Sequence, residues 1–209
     1  MTHGHEVWWG RVPGFRALLR RIAAEADVIT YVSEYCGERI GAALLPADRV
    51  RMVRWVPPID HDRFHPGVDG SAVRRDWEIP AEAPVVVCVA RLVRRKGQDS
   101  LIRAWPVVLK TWPGAHLLLV GDGPERRRLE RLARWYGVSD LVHLTGSVPH
   151  EDVPRYLAAA DVFAMPSRTR RLGLEIEAFG IAYLEAEAMG LAVVRGRSGG
   201  ALEAVVIDR

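Results

Sequence analysis

The segment PVVVCVARLVRRKG, residues 84–97, joins a β-branched run to a cationic loop that ends in glycine. Val85 to Val89 is apolar at every position, which is typical of a strand buried on both faces of a parallel sheet. The residues that follow, 98–110, predict a helix in which Pro106 is an interruption. A strand, a short loop and a helix begin a βαβ unit, so this segment indicates an α/β fold.

The alternation of strand and helix continues along the rest of the chain. Strands are predicted at residues 85–89, 116–120, 141–144, 161–165 and 191–194, and helices at 98–110, 125–136, 151–159 and 183–189. Continuous apolar strands separated by helices indicate a parallel sheet covered on both faces. We therefore predict an α/β protein with a doubly wound, Rossmann-like parallel sheet in residues 68–209.

The first third of the chain has a different pattern. Strand candidates at 28–32 and 51–56 enclose a helix that Ser33 caps and that extends to about Leu45. The prolines at 57–58 and the polar segment after them indicate a domain boundary. Two strands are too few for an independent sheet. We interpret residues 1–67 as a partial second α/β domain, and expect the chain to be truncated at its N-terminus and at its C-terminus.

Composition excludes several classes of protein. The chain has 209 residues, of which 49% are hydrophobic and 26% charged, unlike disordered, collagen-like or disulfide-scaffold proteins. It has no run of about 18 apolar residues and no signal-peptide pattern, so we expect a cytoplasmic protein with reduced Cys36 and Cys88. Only Lys96 and Lys110 are lysines among 29 basic residues. Genome base composition alone explains such a bias, yet the arginines also leave a surface suited to phosphates.

The residues that follow the predicted strands are rich in glycine and in basic side chains. Because a doubly wound sheet binds ligands at the carboxyl ends of its strands, these residues form the candidate site. They are residues 90–97, 121–123, 145–146, 166–171 and 196–200. Glycines and arginines together predict a phosphorylated ligand. The alternatives are a tight turn at 121–123, and solvated loops for the basic run 94–96 and for Arg168, Arg170 and Arg171.

Two glutamates lie on either side of Gly180. Glu177 and Glu185 are eight residues apart, which places the first in a loop and the second in the opening turn of the helix predicted at 183–189. The ordinary explanation of Glu185 is a carboxylate stabilised by the helix dipole. The alternative is that both carboxylates bind the hydroxyl groups of a sugar.

Three of these motifs together resemble a known family. VARLVRRKG at 89–97, the pair Glu177 and Glu185, and SGG at 198–200 resemble the donor domain of family 4 retaining glycosyltransferases, which have a two-Rossmann architecture. THGHE at 2–6, AMPSRTR at 164–170 and GIAYLEA at 180–186 most resemble the GDP-mannose-dependent phosphatidylinositol-monomannoside mannosyltransferases of actinobacteria. The resemblance covers essentially the whole chain, but PID at 58–60 and RLG at 171–173 depart from the family pattern.

The resemblance implies a reaction and two partners. It implies transfer of mannose, with retention, from the nucleotide sugar GDP-mannose to a phosphatidylinositol-mannoside, which is a glycolipid acceptor, without a cofactor or a catalytic metal. Residues 1–67 would be the remnant of the N-terminal acceptor domain and residues 68–209 the donor-binding domain. Because that acceptor domain is reduced to a remnant, we expect the 209-residue polypeptide alone to have little or no transferase activity.

The resemblance also assigns roles to individual residues. The donor-binding residues that it implies are Arg91, Lys96, Gly121, Glu177, Gly180, Ile181 and Glu185. Arg91 and Lys96 would hold the diphosphate, and Glu185 the ribose. Glu177 would hold the transferred sugar in the catalytic centre. A catalytic histidine, His3 or His5 with a slight preference for His3, would approach that sugar from the acceptor domain.

Other functions and partners remain open from the residues alone. A non-catalytic nucleotide-sugar-binding module, or a relative with another donor and acceptor, fits the same motifs. Nucleic acid is not expected as a partner, because the arginines are not interleaved with stacking aromatics. The basic, Trp-containing stretch 7–26 predicts a helix from about Gly14 that contacts the inner face of the plasma membrane or, equally, packs against another domain.

Overall fold

Residues 7–204, the part of the chain that the computed structural model describes, contain seven β-strands and eight α-helices. The strands are β1 (Ile29–Tyr31), β2 (Met52–Arg54), β3 (Val85–Val89), β4 (His116–Val120), β5 (Val142–Gly146), β6 (Val162–Met165) and β7 (Ala192–Arg195). The helices are α1 (Pro13–Glu25), α2 (Glu34–Gly41), α3 (Pro46–Arg49), α4 (Ser71–Asp76), α5 (Gln98–Thr111), α6 (Arg126–Trp135), α7 (Val153–Ala158) and α8 (Ile181–Ala188).

These elements belong to two compact units. The sheet unit consists of Ile59–Pro166 and Ala182–Gly196. The N-terminal unit takes the chain up to Pro58 together with Ser167–Ile181 and the residues from Arg197 onward. The domain boundary between residues 67 and 68 stays a prediction.

The sheet unit has a five-stranded parallel sheet in the order β5-β4-β3-β6-β7. The central strand β3 pairs with β4 along its whole length, from Val85 opposite His116 to Val89 opposite Val120. Every residue of β4 is buried, which is why its sequence after His116 is apolar without alternation. The chain runs outward from β3 to β5 and then returns to β6, so the strand order reverses between β3 and β6. The α/β doubly wound fold is therefore confirmed, with its switch point at these two strands.

The helices of the sheet unit each bury an apolar face. Trp105 of α5 is buried, and its indole N–H donates a hydrogen bond to the carbonyl oxygen of Ala115 at 3.3 Å. Pro106 lies inside α5 without ending it. Tyr183 of α8 is buried, and its hydroxyl donates to the carbonyl oxygen of Met165 at the end of β6 at 2.7 Å. One expectation is wrong: α8 begins at Ile181, so Glu185 lies in its second turn and not in its opening turn.

The N-terminal unit contains a two-stranded parallel sheet and the first three helices. β1 pairs with β2 from Ile29 opposite Met52 to Tyr31 opposite Arg54. The Ser33 side chain caps α2 as predicted, but α2 ends at Gly41, short of Leu45. Helix α1 begins at Pro13, where a missing backbone N–H costs nothing. None of the helices in residues 7–204 is both long enough and apolar enough to cross a bilayer.

Two histidines pair at the amino ends of β4 and β5. Nδ1 of His116 lies 2.8 Å from Nε2 of His143, and the Trp77 ring lies 5.6 Å from the His143 ring. Burial lowers the pKa of His143 from 6.5 to about 4, and the nearby His116 adds to that shift. Burial and the charge of Arg74 lower the pKa of His116 as well. Both rings therefore resist protonation in the folded chain.

The histidine pair predicts a loss of stability in mild acid. Between pH 6.5 and about 4 the unfolded chain binds a proton at His143 that the folded chain does not, so stability is lost as the pH falls through this range. Replacing His143→Gln should reduce the drop in urea unfolding midpoint between pH 7 and pH 5. The exposed His61→Gln serves as the control and should keep the wild-type drop. Equal drops in wild type and His143→Gln would contradict this expectation.

Candidate functional site

The loop after β3 is fixed by backbone hydrogen bonds to the loop after β4. Leu92 is completely buried. Its N–H donates to the carbonyl oxygen of Asp122 at 2.9 Å, and its own carbonyl oxygen accepts from the N–H of Glu125 at 3.1 Å. The buried Gln98 side chain donates to the carbonyl oxygen of Arg91 at 3.2 Å. These contacts hold the backbone of the loop at the carboxyl edge of the sheet.

Two glycines permit a very close approach of the strand ends. Gly97 has φ +81°, and a Cβ at this position would lie 2.2 Å from the carbonyl oxygen of Pro166. Gly121 has φ +129°, and its Cβ would lie 2.3 Å from the carbonyl oxygen of Ala90. Real Cβ atoms do not approach oxygen so closely, so only glycine fits at either position. The chain thus brings the loops after β3, β4 and β6 into direct backbone contact.

The basic side chains of the β3 loop differ in their partners. The Arg94 side chain lies 3.0 Å from the carboxylate of Glu125, which also pairs with Arg128 at 2.8 Å. Arg91 is exposed, and within residues 7–204 its guanidinium has no ion-pair partner. Burial raises the pKa of Cys88 in β3 to about 12, and the charge of the half-buried Lys96 opposes this shift. Arg91 is therefore available to an anion.

Glu185 lies in a cluster that the sequence did not reveal. Its carboxylate is buried, and Nε2 of His150 lies 3.8 Å from its Oε1. Burial raises the pKa of Glu185, while His150 and Arg63 oppose the shift. The Phe64 ring packs 5.7 Å from the His150 ring. Arg63 and His150 are far from Glu185 in sequence, so no local pattern could have indicated them.

Arg63 also has unused hydrogen-bonding capacity. One terminal nitrogen of its guanidinium is buried and lacks a hydrogen-bond partner among residues 7–204. The central carbon of the guanidinium, Cζ, lies 5.9 Å from the Phe64 ring centre. A buried donor without an acceptor is costly, so this atom is a candidate contact for a ligand oxygen.

Glu177 lies in the N-terminal unit, where its neighbours hold it in place. Its carboxylate is buried and accepts a hydrogen bond from the Ser167 hydroxyl at 3.3 Å. Its backbone N–H donates to the Ser198 hydroxyl at 3.1 Å, and its carbonyl oxygen accepts from the N–H of Gly200 at 2.9 Å. The SGG motif at 198–200 thus fixes the backbone of Glu177.

The remaining candidate residues have less specific surroundings. Gly180 has φ +89° at the end of the loop that carries Glu177, and the exposed Ile181 begins α8. Arg170 and Arg171 pair with Glu175 at 3.2 and 3.0 Å, which favours the loop explanation for these two arginines. His3 and His5 lie outside the described residues.

The candidate residues therefore divide between the two units. Arg91, Lys96, Gly121 and Glu185 belong to the sheet unit, and Glu177, Gly180 and Ile181 belong to the N-terminal unit. Within the sheet unit, Gly121 packs directly against the backbone of the Arg91 loop. The roles of all these residues stay predictions.

Comparison with known proteins identifies relatives over the whole chain. A family model described as "Glycosyl transferases group 1" matches residues 70–208. The GDP-mannose-dependent alpha-(1-6)-phosphatidylinositol monomannoside mannosyltransferase of Mycolicibacterium smegmatis is 48% identical over 98% of this chain and 53% of its own length. The enzyme of the same name from Mycobacterium tuberculosis is 46% identical over 98% of this chain and 52% of its own. The chain spans about half the length of these curated relatives.

Solved structures share the fold. The Anabaena protein Alr3699/HepE, in complex with UDP and glucose, superimposes with a TM-score of 0.77 at 24% identity. The match covers 92% of this chain and 51% of the Anabaena protein.

The exposed Arg91 predicts a specific effect on anion binding. Charge-assisted hydrogen bonds contribute about 1.5 to 3 kcal/mol, so Arg91→Ala should weaken nucleoside-diphosphate binding about tenfold or more in titration calorimetry. The melting temperature should not change, because Arg91 makes no ion pair within residues 7–204. Arg127→Ala removes another exposed arginine of the same unit, on α6, and should leave the affinity unchanged. Wild-type affinity in a folded Arg91→Ala protein would rule out this role.

Proposed function

The chain belongs to the group 1 glycosyl transferases, and we propose that it binds GDP-mannose for the retaining transfer of mannose to a phosphatidylinositol-mannoside acceptor. The observation that carries this proposal is 48% identity, over 98% of the chain, to a mannosyltransferase whose name gives that donor and that acceptor. The loop after β3, the two glutamates and helix α1 support the proposal further.

The loop after β3 suits the diphosphate of the donor. Its backbone is fixed by Leu92 and Gly97, so Arg91 and Lys96 need little reorganisation to meet an anion. Gly97 is also the N-cap of α5, so the N-terminus of that 14-residue helix begins directly after Lys96. Positive charge and helix dipole together stabilise the negative charge that develops on the departing diphosphate.

The two glutamates suit two different parts of the donor. Glu185 lies in the same unit as Arg91, and a carboxylate can accept hydrogen bonds from both ribose hydroxyls. Burial strengthens the hydrogen bonds between such a carboxylate and the ribose, since few waters compete with the ligand. Glu177 is buried in the other unit, where we assign it to the mannose. One histidine of the segment 2–6 would face the same sugar.

Retention requires that both substrates be held together. When no covalent intermediate forms, the leaving diphosphate accepts the proton of the acceptor hydroxyl on the face from which it departs. Such a reaction depends on positioning, which contributes about 7 to 11 kcal/mol in well-oriented systems. Arg91 and Lys96 hold the leaving group in this scheme, and Glu177 holds the sugar.

Helix α1 supports contact with the membrane that contains a glycolipid acceptor. Phe15, Leu18 and Ile22 have the spacing of one helical face, and they are 41%, 46% and 52% exposed. Trp8 packs against Phe15 with ring centres 4.8 Å apart. The exposed basic side chains nearby are Arg11, Arg16 and Arg21. An apolar face bordered by arginines is typical of a helix that lies on an anionic surface, here the inner face of the plasma membrane.

The division of roles between the glutamates predicts separable binding defects. Glu185→Gln should weaken both GDP and GDP-mannose, because both contain the ribose. Glu177→Gln should weaken only GDP-mannose and leave the affinity for GDP unchanged. Calorimetric titration with the two ligands measures both effects, and UDP and ADP report on base preference. An equal loss of GDP affinity in the two variants would contradict the assignment.

The exposed face of α1 predicts salt-sensitive lipid binding. The double variant Phe15→Ser, Leu18→Ser should sediment less with anionic liposomes than the wild type, because it loses the apolar face that inserts. High salt should weaken binding of the wild type. Val107→Ser replaces a residue of α5 that is 64% exposed and is the matched control. Absence of wild-type sedimentation at low salt would exclude the membrane contact.

A further inference from the structure

We infer that Ser33 is a positioning residue for Glu177, because it fixes the carbonyl group of Ala178, the residue that directly follows this glutamate. The inference rests on the proposed role of Glu177 in binding the donor sugar. It concerns only the N-terminal unit, to which both residues belong.

The Ser33 hydroxyl makes two hydrogen bonds in a buried position. It donates to the carbonyl oxygen of Ala178 at 2.6 Å, across 145 residues of sequence. It also accepts from the N–H of Cys36 at 3.3 Å, as the N-cap of α2. The Cys36 thiol lies 3.6 Å from the same Ala178 oxygen. Ser33 is completely buried, so water does not replace these bonds.

Gly200 packs against the same Ala178 carbonyl group and bonds the peptide group before it. A Cβ on Gly200 would lie 2.1 Å from the Ala178 oxygen and 2.5 Å from the Ser33 hydroxyl oxygen, so the contact requires glycine. The Gly200 N–H donates to the carbonyl oxygen of Glu177 at 2.9 Å, and Ser198 accepts from the Glu177 N–H at 3.1 Å. Three backbone polar groups of Glu177 and Ala178 are thus bonded, and Ser33 supplies the bond on the α2 side.

A second contact anchors the same end of α2 without touching Ala178. The Glu203 carboxylate accepts from the N–H groups of Glu34 and Tyr35 at 2.6 and 2.9 Å. Arg54 lies 3.7 Å from this carboxylate. Weakening Glu203 therefore perturbs the helix end while leaving the Ser33–Ala178 bond in place, which provides a structural control.

Loss of the Ser33 hydrogen bond should affect the binding of the sugar and not that of the diphosphate. A ligating carboxylate must be held to within about 0.5 Å of its productive position, and the backbone of residues 177 and 178 sets the direction in which the Glu177 side chain leaves the loop. Loosening that backbone at Ala178 should weaken the contact to the sugar. The contacts of Arg91 and Lys96 to the diphosphate arise in the other unit and should not change.

The test compares four variants by their affinities for GDP and GDP-mannose. Ser33→Ala should reduce the preference for GDP-mannose over GDP about three- to tenfold, the range expected for one hydrogen bond, with unchanged GDP affinity. Ser33→Thr should restore the preference. Ser33→Asp keeps a cap for α2 but cannot donate to Ala178, and should behave like Ser33→Ala. Glu203→Gln should lower the melting temperature without changing the preference for GDP-mannose. A loss of this preference in Glu203→Gln as large as in Ser33→Ala would overturn the inference.

Hydrogen exchange without ligand separates this inference from the proposed function. Peptides covering residues 176–181 should exchange faster in Ser33→Ala than in the wild type, Ser33→Thr or Glu203→Gln. If the wild type does not prefer GDP-mannose but this pattern appears, the proposed role of Glu177 fails and the positioning of the loop by Ser33 stands. Unchanged exchange in Ser33→Ala overturns the inference whatever the ligand affinities are.

Discussion

Contact between backbones that leaves no room for a side chain is the constraint on which both units depend. A Cβ would lie 2.2 Å from a carbonyl oxygen at Gly97, 2.3 Å at Gly121 and 2.1 Å at Gly200. In the sheet unit this contact joins the loops at the carboxyl ends of the strands. In the N-terminal unit it joins the SGG motif to the loop that carries Glu177. The glycines therefore matter because of what they touch, and flexibility is not their role here.

Fewer basic side chains are available to an anion at the candidate site than the composition suggests. The net charge of +3 and the basic run at 94–96 indicate a general attraction for anions. Within the fold, however, Glu125 pairs with Arg94, and Glu175 pairs with both Arg170 and Arg171. Arg91 stays exposed without an ion pair in the described part of the chain. Counting arginines therefore does not identify the ones that bind, because acids distant in sequence decide which cations are available.

The two glutamates have similar burial but different surroundings. Glu185 lies beside His150 and Arg63, which oppose the effect of burial on its pKa. Glu177 lies among hydroxyls and backbone groups supplied by Ser167, Ser198 and Gly200. A carboxylate near cations and one near neutral donors respond differently to an incoming ligand. This difference is a physical basis for assigning them to separate parts of one donor.

The sequence by itself determined the fold class, the family and the position of the main strands. β3 and β4 begin and end at the predicted residues, because parallel strands that are buried on both faces have nearly continuous apolar runs. Only the tertiary structure decided that Glu185 meets His150 and Arg63, and that Ser33 holds Ala178. Periodicity and propensity report interactions between near neighbours in the chain. The contact of Glu185 with His150 and that of Ser33 with Ala178 join residues 35 and 145 positions apart, so they exist only once the chain has folded.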